Sequence, residues 1–328
     1  MKPIAVVFGC TGQDGGYLCK SLLNKDFIVY GVSRKNKPES KRLRCLGINK
    51  KVQLIASNLE NFEETLNTIK HIQPKEIYNL SAQSSVGDSF KKPVETQKSI
   101  VNSTSNLLEA CRKINFRGNI FLAGSSEIFG CTKVPADINS KIELRSPYAA
   151  AKYQSYVLTK MYRELYQLNC VTGILFNHES PLRDERFVMK KIITTAIKIK
   201  NGSQEKLNVG NVSIKRDWGY AEEYVEAMQL INRSTLNKDY TICTGKSISL
   251  KTIIEKVFSE LDLNWLDHTE ISRKLMRSNE IKNSIGNPNP IYKDLGWESN
   301  TNVDELIKLL IDHEQKKTTP NPHLFQGY

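Results

Sequence analysis

The sequence lacks the features that mark several classes of protein. No run approaches the roughly 20 consecutive apolar residues that a membrane-spanning helix needs. The first four residues, Met-Lys-Pro-Ile, lead straight into an apolar run and contain no signal-peptide core. Seven cysteines are scattered along the chain, and no two have the Cys-x-x-Cys spacing of a zinc or redox site. We therefore expect a cytoplasmic protein with reduced thiols, no metal site and no membrane partner.

The charge of the chain is unbalanced but widely spread. Its 328 residues include 47 basic and 35 acidic ones, for a net charge of +12. The densest basic cluster, residues 34–44, is short and has no aromatic residues between its cations, so a nucleic-acid groove is not expected. A basic surface suits small phosphate-bearing ligands instead, because it steers them toward the protein.

Apolar runs alternate with helical patterns over the first half of the chain. We predict strands at residues 4–9, 27–32, 52–56, 76–80, 119–123 and 170–176. Helical patterns lie between them at 17–23, 61–72, 94–114 and 146–168. Continuous apolar runs are typical of parallel strands that are covered on both faces. The order therefore predicts an α/β fold with a doubly wound parallel (Rossmann) sheet.

The second half alternates less regularly. Helical patterns occur at 187–200, 221–231, 250–261 and 303–313, and strand patterns at 206–209 and 240–244. We expect residues 1–176 to form a nucleotide-binding domain, joined by segments that return to it near 206–245. Residues 177–328 are then expected to form a smaller, discontinuous substrate-binding part.

A glycine-rich turn follows the first predicted strand. The spacing Gly9-x-x-Gly12-x-x-Gly15 precedes a helical pattern, so its backbone N–H groups can approach a pyrophosphate at the helix N-terminus. NAD sites usually carry an acidic residue after the second strand, whereas this chain has Arg34 and Lys35. Two cations favour the 2′-phosphate of NADP. The alternative is that both belong to a solvated loop.

Two pairs of protonatable side chains follow later strands. Ser125 and Glu127 come just after strand 119–123, at the sheet edge where open α/β sheets place their chemistry. Tyr148 and Lys152 are four residues apart in a helical pattern and can share a face. A nearby ammonium favours the phenolate, so we expect Lys152 to lower the pKa of Tyr148. The alternatives are a chance Tyr-x-x-x-Lys spacing and a Ser-Ser-Glu turn or helix cap.

The glycine turn and the Tyr-x-x-x-Lys pair resemble those of the extended short-chain dehydrogenase/reductases. Further stretches are similar to the GDP-mannose 4,6-dehydratase family, and they extend from residue 4 to about 312. The most specific are Asn-His-Glu-Ser-Pro at 177–181 and Arg-Asp-Trp-Gly at 216–219. The family usually has threonine at the position of Ser125, aspartate at Asn58 and a second arginine at Lys35.

The resemblance implies an internal redox dehydration of a GDP-sugar through bound NADP. The catalytic residues would be Ser125, Glu127, Tyr148 and Lys152. Tyr148 would accept the proton of the C4 hydroxyl and Glu127 would remove the hydrogen at C5. Ser125 would hydrogen-bond O4, and Lys152 would also bind the nicotinamide ribose. Two separate proton-transfer groups fit a reaction that goes beyond a single alcohol oxidation.

The resemblance also implies two sets of binding residues. The cofactor set is Gly9, Thr11, Gly12, Gln13, Asp14, Gly15, Arg34, Lys35, Asn58, Leu59, Leu80, Ala82, Tyr148, Lys152 and His178. The substrate set is Ser84, Ser125, Asn177, Lys191, Arg216, Arg277 and Glu280. Arg216 has an alternative role as the ion-pair partner of Asp217, and His178 as a buried structural residue.

Other functions stay open at the level of the sequence. One is dehydration of another GDP-sugar, such as a GDP-heptose. A second is a GDP-4-keto-6-deoxy-mannose reductase, although those usually lack the two specific stretches at 177–181 and 216–219. A third is a non-catalytic nucleotide-binding protein, which would have no need of all four catalytic residues. Relatives imply a homodimer or a homotetramer.

Overall fold

The computed structural model describes residues 1–34, 40–276 and 279–318. Its strands are β1 (Ile4–Phe8), β2 (Ile28–Ser33), β3 (Gln53–Ala56), β4 (Glu76–Asn79), β5 (Asn119–Ala123), β6 (Cys170–Leu175), β7 (Asn177–Glu179), β8 (Leu207–Val209), β9 (Lys215–Tyr220), β10 (Tyr240–Ile242), β11 (Ser247–Ser249), β12 (Thr269–Ile271) and β13 (Asn283–Ser284). Its helices are α1 (Gln13–Asn24), α2 (Lys41–Cys45), α3 (Phe62–Ile72), α4 (Val86–Lys91), α5 (Pro93–Gln97), α6 (Ser103–Lys113), α7 (Pro147–Tyr166), α8 (Val188–Lys200), α9 (Ala221–Arg233), α10 (Leu250–Glu260), α11 (Trp265–His268), α12 (Asn289–Leu295) and α13 (Val303–Thr318).

Seven parallel strands form the main sheet. Their order is β10-β6-β5-β4-β1-β2-β3, and β1 lies between β2 and β4. The chain runs outward in opposite directions from β1, which leaves a crevice at the carboxyl ends of β1 and β4. The predicted α/β fold with a doubly wound sheet is confirmed.

Helices cover both faces of this sheet, which explains its continuous apolar strands. On one face, Leu18 and Leu22 of α1 pack with Val225 and Met228 of α9. On the other face, α3 and α6 pack against the alternate strand residues, such as Val6 and Ile120. Fully burying each such side chain contributes about 1.5–3 kcal/mol, so the two layers position the strand ends firmly.

A second core holds the later part of the chain together. Helices α8, α10 and α13 pack around Trp218 of β9. Strand β9 pairs with β7, β11 and β13, and β8 pairs separately with β12. Two of the segments expected to return to the main sheet do so: β10 is one of its strands, and α9 covers one of its faces. Strand β8 does not return to the main sheet and pairs with β12 instead.

Several elements differ from the sequence-based expectation, and two of them lie in long predicted or conspicuous stretches. The predicted helix at 94–114 consists of α5 and α6, joined by a π-helical stretch, Lys98–Asn102. Strand β9 was not predicted, because its sequence Lys-Arg-Asp-Trp-Gly-Tyr has no alternation of apolar and polar residues. Long-range partners satisfy its buried charged side chains, Arg216 and Asp217, and a sequence pattern does not reveal such partners.

Membrane and redox features are few. Within residues 1–34, 40–276 and 279–318, no helix combines the length and apolar character that crossing a bilayer requires. All seven cysteines are free thiols, and five of them are buried.

Candidate active site

The glycine turn lies between β1 and α1 and leaves no room for side chains. Gly9 has a φ of +82°, and a Cβ there would lie 2.8 Å from the carbonyl carbon of Leu80. A Cβ on Gly15 would lie 2.2 Å from the carbonyl oxygen of Gly9. No side chain caps α1 at Gly12, so the first N–H groups of the helix stay available to an anion. This cradle fits the pyrophosphate of a dinucleotide.

The first turn of α1 is tied to β7. Gln13 donates a hydrogen bond to the carbonyl oxygen of His178 and accepts one from Ser180. Asp14 Oδ1 lies 3.0 Å from His178 Nε2, in an ion-pair contact. Burial alone would raise the pKa of Asp14, but His178 lowers it to about 2. Burial opposes the charged form of His178, yet Asp14 raises the pKa of this imidazole. His178 is therefore a buried residue with a structural contact to Asp14, and because it also lines the cleft it can contact a cofactor as well.

The residues expected at the adenosine end are only partly described. Arg34 follows β2, with an exposed guanidinium 3.4 Å from Glu60. Lys35 lies outside the described residues. Asn58 accepts a hydrogen bond from the backbone of Glu60, whereas Leu59 points into the core beneath the sheet. Because the side chain of Leu59 is buried in this core, Leu59 can contact a ligand only through its backbone.

A cleft of about 540 Å³ runs between the main sheet and the second core. The sequence-predicted residues that line it are Asp14, Leu80, Ala82, Ser84, Ser125, Glu127, Tyr148, Lys152, Asn177, His178, Lys191, Arg216 and Glu280. Those outside its wall are Gly9, Thr11, Gly12, Gln13, Gly15, Arg34, Asn58 and Leu59. The structure therefore brings all four predicted catalytic residues together, with the glycine turn beside them.

Local structure explains the placement of the catalytic side chains. Ser125 caps a short 3₁₀ helix, Ser126–Phe129, which turns Glu127 into the cleft. Helix α7 begins at Pro147, and the Ser146 side chain accepts a hydrogen bond from the backbone N–H of Ala149. This cap places Tyr148 in the first turn of α7, with Lys152 one turn later.

Protonation equilibria in the cleft contradict one prediction. Burial raises the pKa of Tyr148 to about 12; a hydrogen bond with Ser125 opposes the shift and the charge of Glu127 adds to it. Lys152 Nζ donates to the carbonyl oxygen of Ala123 at 2.8 Å and lies 5.9 Å from the centre of the Tyr148 ring. Burial lowers the pKa of Lys152 to about 8. The main influences on the pKa of Tyr148 are burial, Ser125 and Glu127, so the prediction that Lys152 lowers this pKa is wrong for this arrangement.

The opposite end of the cleft holds the predicted substrate residues. Arg216 Nη1 donates to the carbonyl oxygen of Ile281, and its Nη2 lies 3.5 Å from Glu280. Adjacent residues of a strand face opposite ways, so the alternative pairing of Arg216 with Asp217 is wrong. Asp217 instead accepts hydrogen bonds from Thr244 and Gly245. Arg277 lies outside the described residues.

Two lysines near this end have different surroundings. Lys191 Nζ donates to the carbonyl oxygen of Asn208 and lines the cleft. The neighbouring Lys190 is buried and forms an ion pair with Glu314 of α13. Lys191 is therefore the one of the two that can meet a ligand.

Sequence reasoning missed several residues of the cleft wall. Arg183 forms an ion pair with Glu179, and its guanidinium lies 3.7 Å from the centre of the Phe187 ring. Burial raises the pKa of Glu179, and Arg183 opposes that shift. Arg183 follows the Asn-His-Glu-Ser-Pro stretch by two residues, a signal that could have identified it. Other unpredicted residues of the wall include Asp88, Arg186, Asn208, Asn211, Trp218 and Leu275.

Solved structures share this architecture. One is UDP-glucose 4-epimerase of Thermus thermophilus in complex with NAD, with a TM-score of 0.83, 22% identity and coverage of 95% of this chain and 99% of that one. Another is dTDP-glucose 4,6-dehydratase of Bacillus anthracis in complex with NAD, with a TM-score of 0.84, 15% identity and coverage of 96% and 97%. The fold, the glycine turn and the Tyr148–Lys152 pair define an extended short-chain dehydrogenase/reductase.

Sequence comparison narrows the class. A family model described as GDP-mannose 4,6 dehydratase matches residues 6–310. GDP-mannose 4,6 dehydratase 1 of Arabidopsis thaliana is 38% identical, over 95% of this chain and 90% of its own length. GDP-mannose 4,6-dehydratase of Sinorhizobium fredii is 33% identical over 93% and 94%, and that of Homo sapiens 32% identical over 98% and 94%. The chain therefore belongs to the GDP-mannose 4,6-dehydratase family of enzymes, as its motifs predicted.

Proposed function

We propose that the protein converts GDP-mannose to GDP-4-keto-6-deoxy-mannose through a tightly bound NADP. The observation that carries this proposal is the convergence of Ser125, Glu127, Tyr148 and Lys152 on one cleft. A simple alcohol dehydrogenase needs one proton-transfer group, whereas this cleft offers a phenol and a separate carboxylate. The relatives named above supply the identity of the sugar nucleotide.

Each catalytic side chain has a distinct part in this proposal. Tyr148 accepts the proton of the C4 hydroxyl as C4 becomes a ketone, and Ser125 holds that oxygen by a hydrogen bond. The ketone acidifies the hydrogen at C5, which Glu127 removes. Glu127 then returns a proton to the C6 hydroxyl, which leaves as water. Hydride addition at C6 and uptake of a proton from solvent at C5 complete the 4-keto-6-deoxy sugar, and Tyr148 releases its extra proton to solvent.

The cofactor and the protein divide the work. When bound, NADP⁺ supplies the hydride acceptor at C4 and the donor at C6, and its positive ring favours the Tyr148 phenolate. The protein contributes mainly orientation: it aligns the sugar between Tyr148 and Glu127. Gly9, Gly12 and Gly15 would hold the pyrophosphate, and Lys152 the nicotinamide ribose. The exposed Arg34 after β2, together with Lys35, supports NADP over NAD.

The nucleotide part of the substrate would occupy the other end of the cleft. Lys191 and Arg216 are the cations there, and Glu280 beside Arg216 can accept hydrogen bonds from a base or ribose. We assign the cofactor to residues 1–176 together with α9 and β10, and the GDP-sugar mainly to the remaining residues 177–328. Reduced thiols support a cytoplasmic location.

We also propose a homodimer that uses one face of α7. Tyr153, Val157, Met161 and Leu165 recur every four residues and form an apolar stripe. Val157 and Leu165 are 45% and 68% exposed, and Val94 of α5 is 65% exposed. An exposed apolar stripe of this length on a surface helix is typical of a protein interface. In a dimer with two-fold symmetry, the same stripe of the second copy would pack against it.

One assay tests the function directly. The purified protein is incubated with GDP-mannose without added cofactor, and the 4-keto product is detected by its absorbance in alkali. We expect product to form with retained NADP, which acid extraction and mass spectrometry identify. Consumption of added NADPH only in the presence of the keto sugar would indicate a reductase. Binding of nucleotide without either reaction would indicate a non-catalytic protein, and retained NAD would contradict the cofactor proposal.

A further inference from the structure

Trp218 is a buried hydrogen-bond donor without a partner at the wall of the cleft. The side chain is 4% exposed and packs into the second core, yet the residue also lines the cleft. Within the described part of the chain, its indole N–H makes no hydrogen bond. A buried N–H that stays unpaired costs as much as a lost hydrogen bond, so this group is unusual in a folded protein.

The position of Trp218 indicates which part of a ligand could pair with it. Alternation along β9 puts Trp218 and Arg216 on the same face, roughly 7 Å apart. In the parallel pairing of β7 with β9, Asn177 lies directly opposite Trp218. Asn177 follows the end of β6, next to the strand that leads to Ser125. Trp218 thus lies between the nucleotide end of the cleft and its catalytic end.

The chemistry of the indole N–H restricts the partner further. This group only donates, so its partner must accept. A phosphate oxygen only accepts at neutral pH, and its charge strengthens the hydrogen bond. A diphosphate connects the nucleoside to the hexose of a GDP-sugar, and so it would pass between the two ends of the cleft. We propose that the indole N–H of Trp218 donates a hydrogen bond to the diphosphate of the substrate, an inference that rests on the proposed function.

The first test removes the donor and keeps the aromatic bulk. Trp218→Phe should weaken GDP binding about tenfold in calorimetry on the purified protein with its retained cofactor. It should raise KM for GDP-mannose by a similar factor, with kcat within about twofold, because the bond forms in both ground and transition states. The melting temperature should fall less than the loss of packing alone would cause, because the substitution also removes an unpaired buried N–H.

A matched control separates binding from packing. Trp265 of α11 packs against the same core but is absent from the cleft wall. Trp265→Phe should leave both GDP affinity and KM unchanged. Equal GDP affinity in Trp218→Phe and the wild-type protein would overturn the inference. So would a loss of affinity in Trp218→Phe that Trp265→Phe reproduces.

A second measurement does not depend on how Trp218→Phe folds. The chain has three tryptophans, so a variant with Trp265→Phe and Trp297→Phe keeps Trp218 as its single indole fluorophore. Saturating GDP should change its emission, with a midpoint equal to the calorimetric Kd. Unchanged emission at saturating GDP would overturn the inference. If Trp218 responds to GDP but the protein does not dehydrate GDP-mannose, the proposed function fails and the inference stands.

Discussion

At the scale of single residues, burial controls how the proposed catalytic groups hold their protons. Burial favours the protonated phenol of Tyr148, a preference that the positive ring of a bound NADP⁺ would oppose. Burial also weakens the hold of Lys152 on its proton. Both groups depart from their usual pKa in the direction that opposes charge. Such shifts are typical of functional sites, where the cost in stability is offset by reactivity.

Replacing the proposed base should separate the two halves of the reaction. Glu127→Gln keeps the shape of the side chain but cannot remove the hydrogen at C5. We expect about one equivalent of sugar per subunit to be oxidised at C4, trapped with borodeuteride, without loss of water. In D₂O the wild-type protein should introduce deuterium at C5, and the variant should not.

An exposed carboxylate provides the control for this experiment. Glu95 of α5 is exposed and is not part of the cleft wall, so Glu95→Gln should turn over normally. Normal turnover of Glu127→Gln would show that another group acts as the base. Tyr148→Phe should block oxidation at C4 as well, because it removes the first proton acceptor.

Removing the buried lysine should stabilise the protein while it abolishes activity. The pKa of Lys152 is about 8 in the folded state, below the roughly 10.4 of an unfolded chain. Below pH 8 the folded state must therefore bury a charge, and Lys152→Met should increase the free energy of unfolding by about 1–3 kcal/mol.

The stability advantage of Lys152→Met should depend on pH. Between about pH 8 and 10.4 the unfolded chain binds more protons at this position, so the wild-type protein gains stability as the pH rises. Urea denaturation at pH 7 and pH 10 should show the advantage of Lys152→Met shrinking at the higher pH. An advantage that grows with pH would contradict the low pKa.

At the scale of secondary structure, the turn between β1 and α1 depends on two close backbone approaches. Gly9 packs against the start of the segment after β4, and Gly15 packs against Gly9 itself. The first turn of α1 is anchored to β7 through Gln13 and Asp14. The proposed cofactor cradle is therefore held by contacts with the end of β1, with the segment after β4 and with β7.

Adjacent glycines of α1 allow a sharp test of this cradle. Gly15→Ala places a methyl group 2.2 Å from the Gly9 carbonyl oxygen, so it should destabilise the protein by about 1–3 kcal/mol and release the cofactor. The nearest atom to the new methyl group of Gly16→Ala is the flexible end of Leu46, at 3.3 Å. It should change stability by less than about 1 kcal/mol, because alanine also favours the helix. Urea denaturation and the nucleotide content per subunit measure both variants; full retention in Gly15→Ala would contradict the assignment.

At the scale of the whole molecule, two cores position one cleft and leave one apolar stripe exposed. The sheet core carries the proposed catalytic side chains, and the second core carries the cations of the proposed nucleotide end. The stripe on α7 lies on the same helix as Tyr148 and Lys152. Association through α7 would therefore stiffen the element that holds the catalytic pair.

Charges on the stripe should prevent the proposed association. Val157→Glu combined with Leu165→Glu should give a monomer in sedimentation velocity, because a dimer would bury four like charges. Leu236, which is 55% exposed and lies outside α7, provides the control. Leu236→Glu should sediment like the wild-type protein. A wild-type monomer, or a double variant that still dimerises, would rule out this interface.

Local sequence patterns were sufficient to predict much of the fold and part of the candidate active site. Continuous apolar runs predicted the strands from β1 to β6, because central parallel strands need apolar residues on both faces. Spacing of three and four residues predicted the glycine turn and the shared face of Tyr148 and Lys152. Matches spread over the whole chain predicted the family, which the comparisons confirmed.

The tertiary structure alone decided the features that depend on distant partners and on exclusion of water. It paired Arg216 with Glu280 rather than with Asp217, because neighbouring strand residues face opposite ways. It raised the pKa of Tyr148, since burial acts through all surrounding elements at once. The sequence by itself determined which groups lie at the strand ends, because periodicity and turn chemistry are local; their charges and partners arise only when distant segments pack together.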